Sequence, residues 1–304
     1  MTFTTSIKEE ISKLKFNILD DRYELIAFLN CVGKFTKDEL LITMENASVT
    51  RKIYTELKEI YNVNPKITVR IQKRFKVKQI YILSVKEKLD IIKSSLDLGT
   101  RVNIATLVSS EEKIAFLRGA FLAVGNISNP STSGYHLEFI FKRNLLAKQI
   151  LNILKYFEIN AKLIKREYKS IVYVKSGEEI SDIIKMFQAT NSLFYFEDIR
   201  IYRDHKNMVN RLNNCEIANQ EKTLKAGMKQ LENIKFLKEN KLYNLLDEKT
   251  QLVMEYREKY PEISYQELAD VISMETDYKI GKSGINHHFI KVNELINRYQ
   301  RKKW

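Results

Sequence analysis

The sequence predicts an α+β fold: a duplicated αββαββα domain followed by a small all-α domain. Three observations lead there. Two apolar nonapeptides recur 92 positions apart, the same order of strand and helix patterns follows each, and residues from Lys241 onward show helical periodicity only. A chain of 304 residues has room for two or three compact units, at roughly 100–200 residues each.

The repeat opens with Leu25-Ile-Ala-Phe-Leu-Asn-Cys-Val-Gly33 and with Leu117-Arg-Gly-Ala-Phe-Leu-Ala-Val-Gly125. Each reads as a buried helix. Gly119, Ala120, Ala123 and Gly125 are small enough to let two such helices approach closely. A hairpin follows each: 34–45, with its turn at Thr36–Glu39, and turn residues 129–134 leading into a strand at 136–141. Helices come next, at 46–61 (Val49, Ile53, Leu57, Ile60) and at 144–157 (Leu146, Ile150, Ile153, Leu154). Second hairpins occupy 66–82, where Ile67, Val69 and Ile71 alternate with Lys66, Thr68 and Arg70, and 162–174. Closing helices fall near 86–97 and 178–188. The expected domains are therefore 1–104 and 105–197 for the two halves, 198–240 as one or two connecting helices, and 241–304 as the helical domain.

The net charge of +13 and a pI of about 9.4 favour a polyanionic partner; the plain alternative is a Lys-rich proteome. Cys31 and Cys215 form no CxxC pair, which argues against a disulfide framework or cysteine zinc site and suits a reducing cytosol. Lys8, Glu9, Glu10 and Lys13 interrupt the N-terminal apolar residues, so no signal peptide is read. The best apolar stretch is short and contains Arg118, so no membrane span is expected. No GxGxxG or Walker pattern occurs among the nine glycines, and no cofactor is expected. Adjacent His287 and His288 would point about 100° apart on a helix and cannot readily share an ion; no metal site is expected.

The two nonapeptides resemble the LAGLIDADG motif of homing endonucleases. That resemblance implies packed motif helices and a metal-binding acid just before each final glycine. Phosphodiester hydrolysis needs such hard oxygen ligands. Here Val32 and Val124 stand at those positions and offer no oxygen. Asp38, Glu39 and Glu138 read as turn or strand-surface residues. The chain is expected not to be an enzyme, with a divergent metal-dependent nuclease as the alternative.

The second hairpins are cation-rich. Lys66, Arg70, Lys73, Arg74, Lys76 and Lys78 lie in one, and Lys162, Lys165, Arg166 and Lys169 in the other. Cations on alternating strand positions would meet phosphates and release counterions; edge strands protected by lysine are the alternative.

In the last segment, 247–260 reads as a helix ended by Pro261. Ser264 and Glu267 form a capping box that opens a second helix, with Gln266 in its first turn. After a polar turn at 273–279, Ser283 would cap a third helix to about residue 299. Helix, short helix, turn and helix is the helix-turn-helix order. Ser264, Gln266, Lys282, Ser283, Asn286, His287, His288 and Lys291 are the candidate DNA-facing residues, since Asn can pair with adenine and Lys or Ser can serve bases or phosphates. A three-helix bundle that binds protein is the alternative.

The segment Lys206-Asn-Met-Val-Asn-Arg-Leu-Asn-Asn-Cys-Glu-Ile-Ala-Asn219 is similar to the signature of the WhiA family of bacterial regulators, with Lys206 in place of the usual arginine. The segments Leu117–Ala123, Tyr135–Glu138 and Ser283–His287 fit as well. The resemblance spans essentially the whole chain. It implies a degenerate LAGLIDADG domain fused to a helix-turn-helix, double-stranded DNA as partner, and roles in transcription, cell division and chromosome segregation. Another regulator or a division protein would be a further partner, and a protein-binding adaptor is the third reading. Such a protein would sit in the cytoplasm at the nucleoid, and the internal pseudo-twofold is compatible with a monomer. One departure stands out: where the family continues Arg-Leu-Arg-Lys, this chain has His288-Phe-Ile-Lys291, so two recognition-helix cations are absent.

Overall fold

The computed structural model describes residues 2–72, 78–96 and 107–302, and divides into Met1–Asp204 and His205–Trp304. The first unit begins with α1 (Phe3–Lys13), which the sequence reading did not assign. Thr2 caps it by accepting from the Thr5 amide, and Phe3, Ile7 and Ile11, spaced four apart, are buried. Two αββαββα halves follow. The first holds α2 (Ile18–Val32), β1 (Lys34–Phe35), β2 (Leu40–Met44), α3 (Ala47–Tyr61), β3 (Lys66–Gln72), β4 (Lys78–Val85) and α4 (Leu89–Ser95). The second holds α5 (Ser110–Val124), β5 (Gly125–Ile127), β6 (Leu137–Phe141), α6 (Asn144–Tyr156), β7 (Lys162–Arg166), β8 (Lys169–Val174) and α7 (Gly177–Met186).

The duplication repeats at the level of pairing. The sheets run β1-β2-β4-β3 and β5-β6-β8-β7, and every neighbouring pair is antiparallel. Alternation sets their faces: Leu40, Ile42 and Met44 turn inward on β2, and Leu137, Phe139 and Phe141 on β6. Helices α2 and α5 are buried over most of their surface, the pattern of a helix enclosed on all sides. Gly119 makes their approach possible, because a Cβ there would lie 2.0 Å from the Glu24 carbonyl oxygen. The closing helices expected near 86–97 and 178–188 are α4 and α7; α4 starts only after Lys88, which takes a left-handed conformation at φ 51°.

The connecting segment is one helix, α8 (Thr190–Glu239), of 50 residues. It starts eight residues before the expected boundary at 198, its first turn held by Glu10, which accepts from the Asn191 and Ser192 amides at 2.7 and 3.0 Å. In the second unit α9 (Glu248–Lys259), α10 (Tyr265–Glu275) and α11 (Lys282–Lys302) enclose a separate core of Val253, Met254, Leu268, Ile272, Ile285, Phe289 and Val292, completed by Ile234 and Leu237 of α8.

Candidate nucleic-acid interface

At the ends of the paired helices, Val32 and Val124 are half-buried and pack against the main core. Neither supplies an oxygen where a metal ligand would stand. Further up the same helices lies a buried charge cluster. Arg118 of α5 donates to Glu24 of α2, both sealed from solvent, with Phe16 stacked 3.4 Å from the guanidinium. Asp21, Glu24 and Glu56 come within 4.8 Å of one another, an arrangement that could hold a cation. Lys52 extends its ammonium among them, at 3.4, 3.3 and 2.9 Å respectively. Burial alone would lower the Lys52 pKa, but Glu24 and Glu56 outweigh it and hold it raised. Burial and the charge of Glu24 push the Glu56 carboxyl well above the usual range despite Lys52. Of the remaining carboxylates, Glu39 accepts from Ser84 and Glu138 lies 3.4 Å from His136.

Register sorts the hairpin cations. On β3, Ile67 pairs with buried Leu83, so Lys66 and Arg70 lie on the face away from the core and are exposed. Ile67, Val69 and Ile71 occupy the other face and are also exposed. On β7, Lys162 and Arg166 lie on the outer face, opposite Tyr173 and Lys169. Lys165 does not join them: it shares the parity of Leu163, whose partner Val172 is buried. Lys73, Arg74 and Lys76 lie outside the described residues, and Lys78 opens β4 opposite Gln72.

In the second unit the capping box at α10 is present, with the Glu267 amide donating to Ser264 and Glu267 accepting from the Ser264 amide. Ser264 is thus committed to the backbone, and Gln266, exposed, donates to Asp270. Helix α11 starts at Lys282, so Ser283 lies within its first turn and does not cap it. Lys282, Ser283, Asn286 and His287 form one exposed face, continued by Ile290. One expected member leaves the set. His288 is buried, its Nδ1 2.7 Å from the Thr250 hydroxyl and its Nε2 3.0 Å from the Tyr278 hydroxyl. The helical stripe of Ile285, Phe289 and Val292 carries it inward, and burial lowers its pKa. Lys291 is exposed and lies 3.8 Å from Asp247, the cap of α9. Asp247 itself is held below the usual carboxylate range, first by its hydrogen bond from Thr250.

The sequence reading also missed Arg257, which is buried beside this surface. Its binding partners are loop carbonyls of Tyr260, Pro261 and Ile263. Only tertiary structure assembles them; the sole sequence signal was an arginine at an inward position of α9.

Comparison with known proteins matches three family models: the WhiA N-terminal LAGLIDADG-like domain over residues 20–98, the WhiA LAGLIDADG-like domain over 113–206, and the WhiA C-terminal HTH domain over 209–296. The chain is 36% identical over 312 residues to a probable cell division protein WhiA of Enterococcus faecalis, covering 99% of each. It is 35% identical over 310 residues to a protein of the same name from Staphylococcus aureus, covering 98% of this chain and 97% of that one. The crystal structure of full-length DUF199/WhiA from Thermotoga maritima superposes with a TM-score of 0.59 at 22% identity, over 98% of this chain and 99% of that chain.

Proposed function

This chain belongs to the WhiA family, and we propose that it is a DNA-binding regulator without nuclease activity, acting in transcription control, cell division and chromosome segregation. The observation that carries the reading is the exposed α11 face of Lys282, Ser283, Asn286 and His287, raised on a three-helix core in helix-turn-helix order. In that geometry the first turns of the third helix enter the major groove, where Asn286 reads base edges and Lys282 meets phosphate. The outer-face cations Lys66, Arg70, Lys162, Arg166 and Lys169 add sequence-independent attraction to the backbone. The missing nuclease function rests on Val32 and Val124. The protein works at the nucleoid, in the cytoplasm, and among its described residues no helix is long and apolar enough to cross a membrane.

The test incubates the full chain with labelled duplex and with supercoiled plasmid, in Mg²⁺ and then Mn²⁺. Binding that weakens steeply with salt while the plasmid stays intact supports the reading. Nicked or linear product refutes it.

A second reading draws on α8. Every residue from His205 to Lys222 is exposed, with Met208, Leu212 and Ile217 each more than half accessible. This stretch holds the family signature, and its apolar residues favour a role as adaptor to a division protein or another regulator. A partner retained on the full chain after nuclease treatment, and lost on Leu212→Asp, supports that role; retention by the variant refutes it.

A further inference from the structure

The second unit contains a cavity of about 220 Å³ between the C-terminal half of α8, the loop before α10 and the start of α11. Lys222, Arg257 and Lys282 line it, and among the described residues no carboxylate does. We infer that this cavity seats a phosphate group of the DNA backbone, with Lys222 and Arg257 as phosphate-binding residues beside Lys282. The inference rests on the DNA-binding reading above and adds to it a seat that the third helix alone does not supply.

Arg257 makes the strongest case. It is 1% exposed, and its guanidinium stays charged at any ordinary pH. Its Nη1 donates to the carbonyls of Tyr260 at 3.2 Å, Pro261 at 3.3 Å and Ile263 at 2.7 Å, its Nε has no partner, and the rings of Tyr265 and Phe289 lie 5.9 and 5.8 Å from it. Among the described residues no acid pairs with it. A buried charge without a counter-charge is costly, and three neutral carbonyls orient the group without neutralising it. An anion in the adjoining cavity would complete the balance.

The cavity is also built, not incidental. Gly227 brings α8 against the loop whose carbonyls hold Arg257; a Cβ there would stand 2.2 Å from the Pro261 carbonyl oxygen. Gln230, buried, donates to the Tyr265 hydroxyl at 2.6 Å and fixes the opposite wall. Ser264 caps α10 at its rim, and Lys282 is the first residue of α11, so the positive ends of two helix dipoles face the same space. Lys282, which lines the cavity, lies one helical turn before Asn286, so a backbone phosphate held here would fix the register of the exposed α11 face on the groove.

The experiment titrates a mixed-sequence duplex with the full chain at several salt concentrations, by fluorescence anisotropy, for wild type, Lys222→Met and Lys225→Met. Lys225 lies on the same helix, 3.8 Å from Glu221, and does not line the cavity. The expected result for Lys222→Met is a several-fold weaker complex and a slope of log affinity against log salt reduced by about one. Its melting temperature and the binding of Lys225→Met should match wild type. Wild-type binding by Lys222→Met overturns the inference and leaves the DNA-binding reading standing. An equal loss in both variants overturns it in favour of diffuse charge. Stabilisation of wild type by inorganic phosphate that Lys222→Met abolishes, with duplex binding unchanged, overturns it in favour of a free-anion site. A wild-type chain that binds no duplex refutes the underlying reading itself.

Discussion

Replacing Gly119 by alanine tests the pairing on which the duplicated domain depends. The added Cβ would sit 2.0 Å from the Glu24 carbonyl oxygen and 2.8 Å from its carbon, both backbone atoms of α2. To reach ordinary contact at 3.4 Å the two helices must separate by about 1.4 Å. Overpacking of this kind costs about 1–3 kcal/mol, and the upper end applies because no flexible side chain can yield and the buried Arg118–Glu24 pair is adjacent. For a unit of this size each kcal/mol moves the midpoint by roughly 2–4 °C. The melting transition of the first unit should therefore fall by about 6–12 °C. Differential scanning calorimetry of the full chain reads it, with Gly134→Ala as control, since a Cβ at Gly134 meets nothing within 4 Å. An unchanged transition in Gly119→Ala, or a drop matched by the control, would refute the close-packing argument.

Other expectations follow from the same structure. Arg118→Met takes one of two cations from the buried Glu24 carboxylate and leaves it Lys52 at 3.3 Å, so the first unit should lose less than the about 3–5 kcal/mol that an unpaired buried charge costs, and Glu24→Gln in the same chain should recover part of it; chemical denaturation measures both. His288 is held neutral, its pKa below the ordinary value, so the unfolded chain takes up its proton first as pH falls. Its contribution to the second unit is full above the ordinary histidine pKa and is lost on descending from it toward the lowered folded value; melting curves between pH 7.5 and 5 should show this, and His288→Gln should flatten them. Asn286→Ala should cost about 1–3 kcal/mol against a preferred site while leaving non-specific binding intact, as competition with unrelated duplex would reveal. Lys66→Ala and Arg70→Ala should each reduce the salt slope by about one, whereas Lys165→Ala, on the opposite sheet face, should leave it unchanged.

Much of the fold was legible because the duplication repeats in residue pattern. The nonapeptides, the alternation of Ile67, Val69 and Ile71, and the capping box at Ser264 each encode local structure within a few residues. Helix α1 was legible too, through Phe3, Ile7 and Ile11, but its charges drew the reading toward leader sequences. The sequence leaves open whether 198–240 forms one helix or two, because the apolar residues between His205 and Lys222 are exposed and pack on nothing that would fix the helix phase across the segment. The candidate site was legible in outline and not in its members. Neighbouring His287 and His288 had to diverge, and the stripe of Ile285, Phe289 and Val292 already put His288 on the inward side, whereas its partners Thr250 and Tyr278 are brought near only by folding. Strand parity could have removed Lys165 from the outer-face set, since it alternates with Lys162 and Arg166 in the wrong phase. Arg257 and Lys222 belong to different helices whose meeting at Gly227 no local pattern announces.

Everything proposed for this chain turns on a LAGLIDADG-like scaffold that holds DNA without cutting it. The decisive measurement is binding of the full chain to duplex DNA across a salt series in the presence of Mg²⁺, with the DNA recovered and sized afterwards. The expected result is affinity that falls linearly in log salt and DNA of undiminished length. Strand breaks, or binding indifferent to salt, would contradict it.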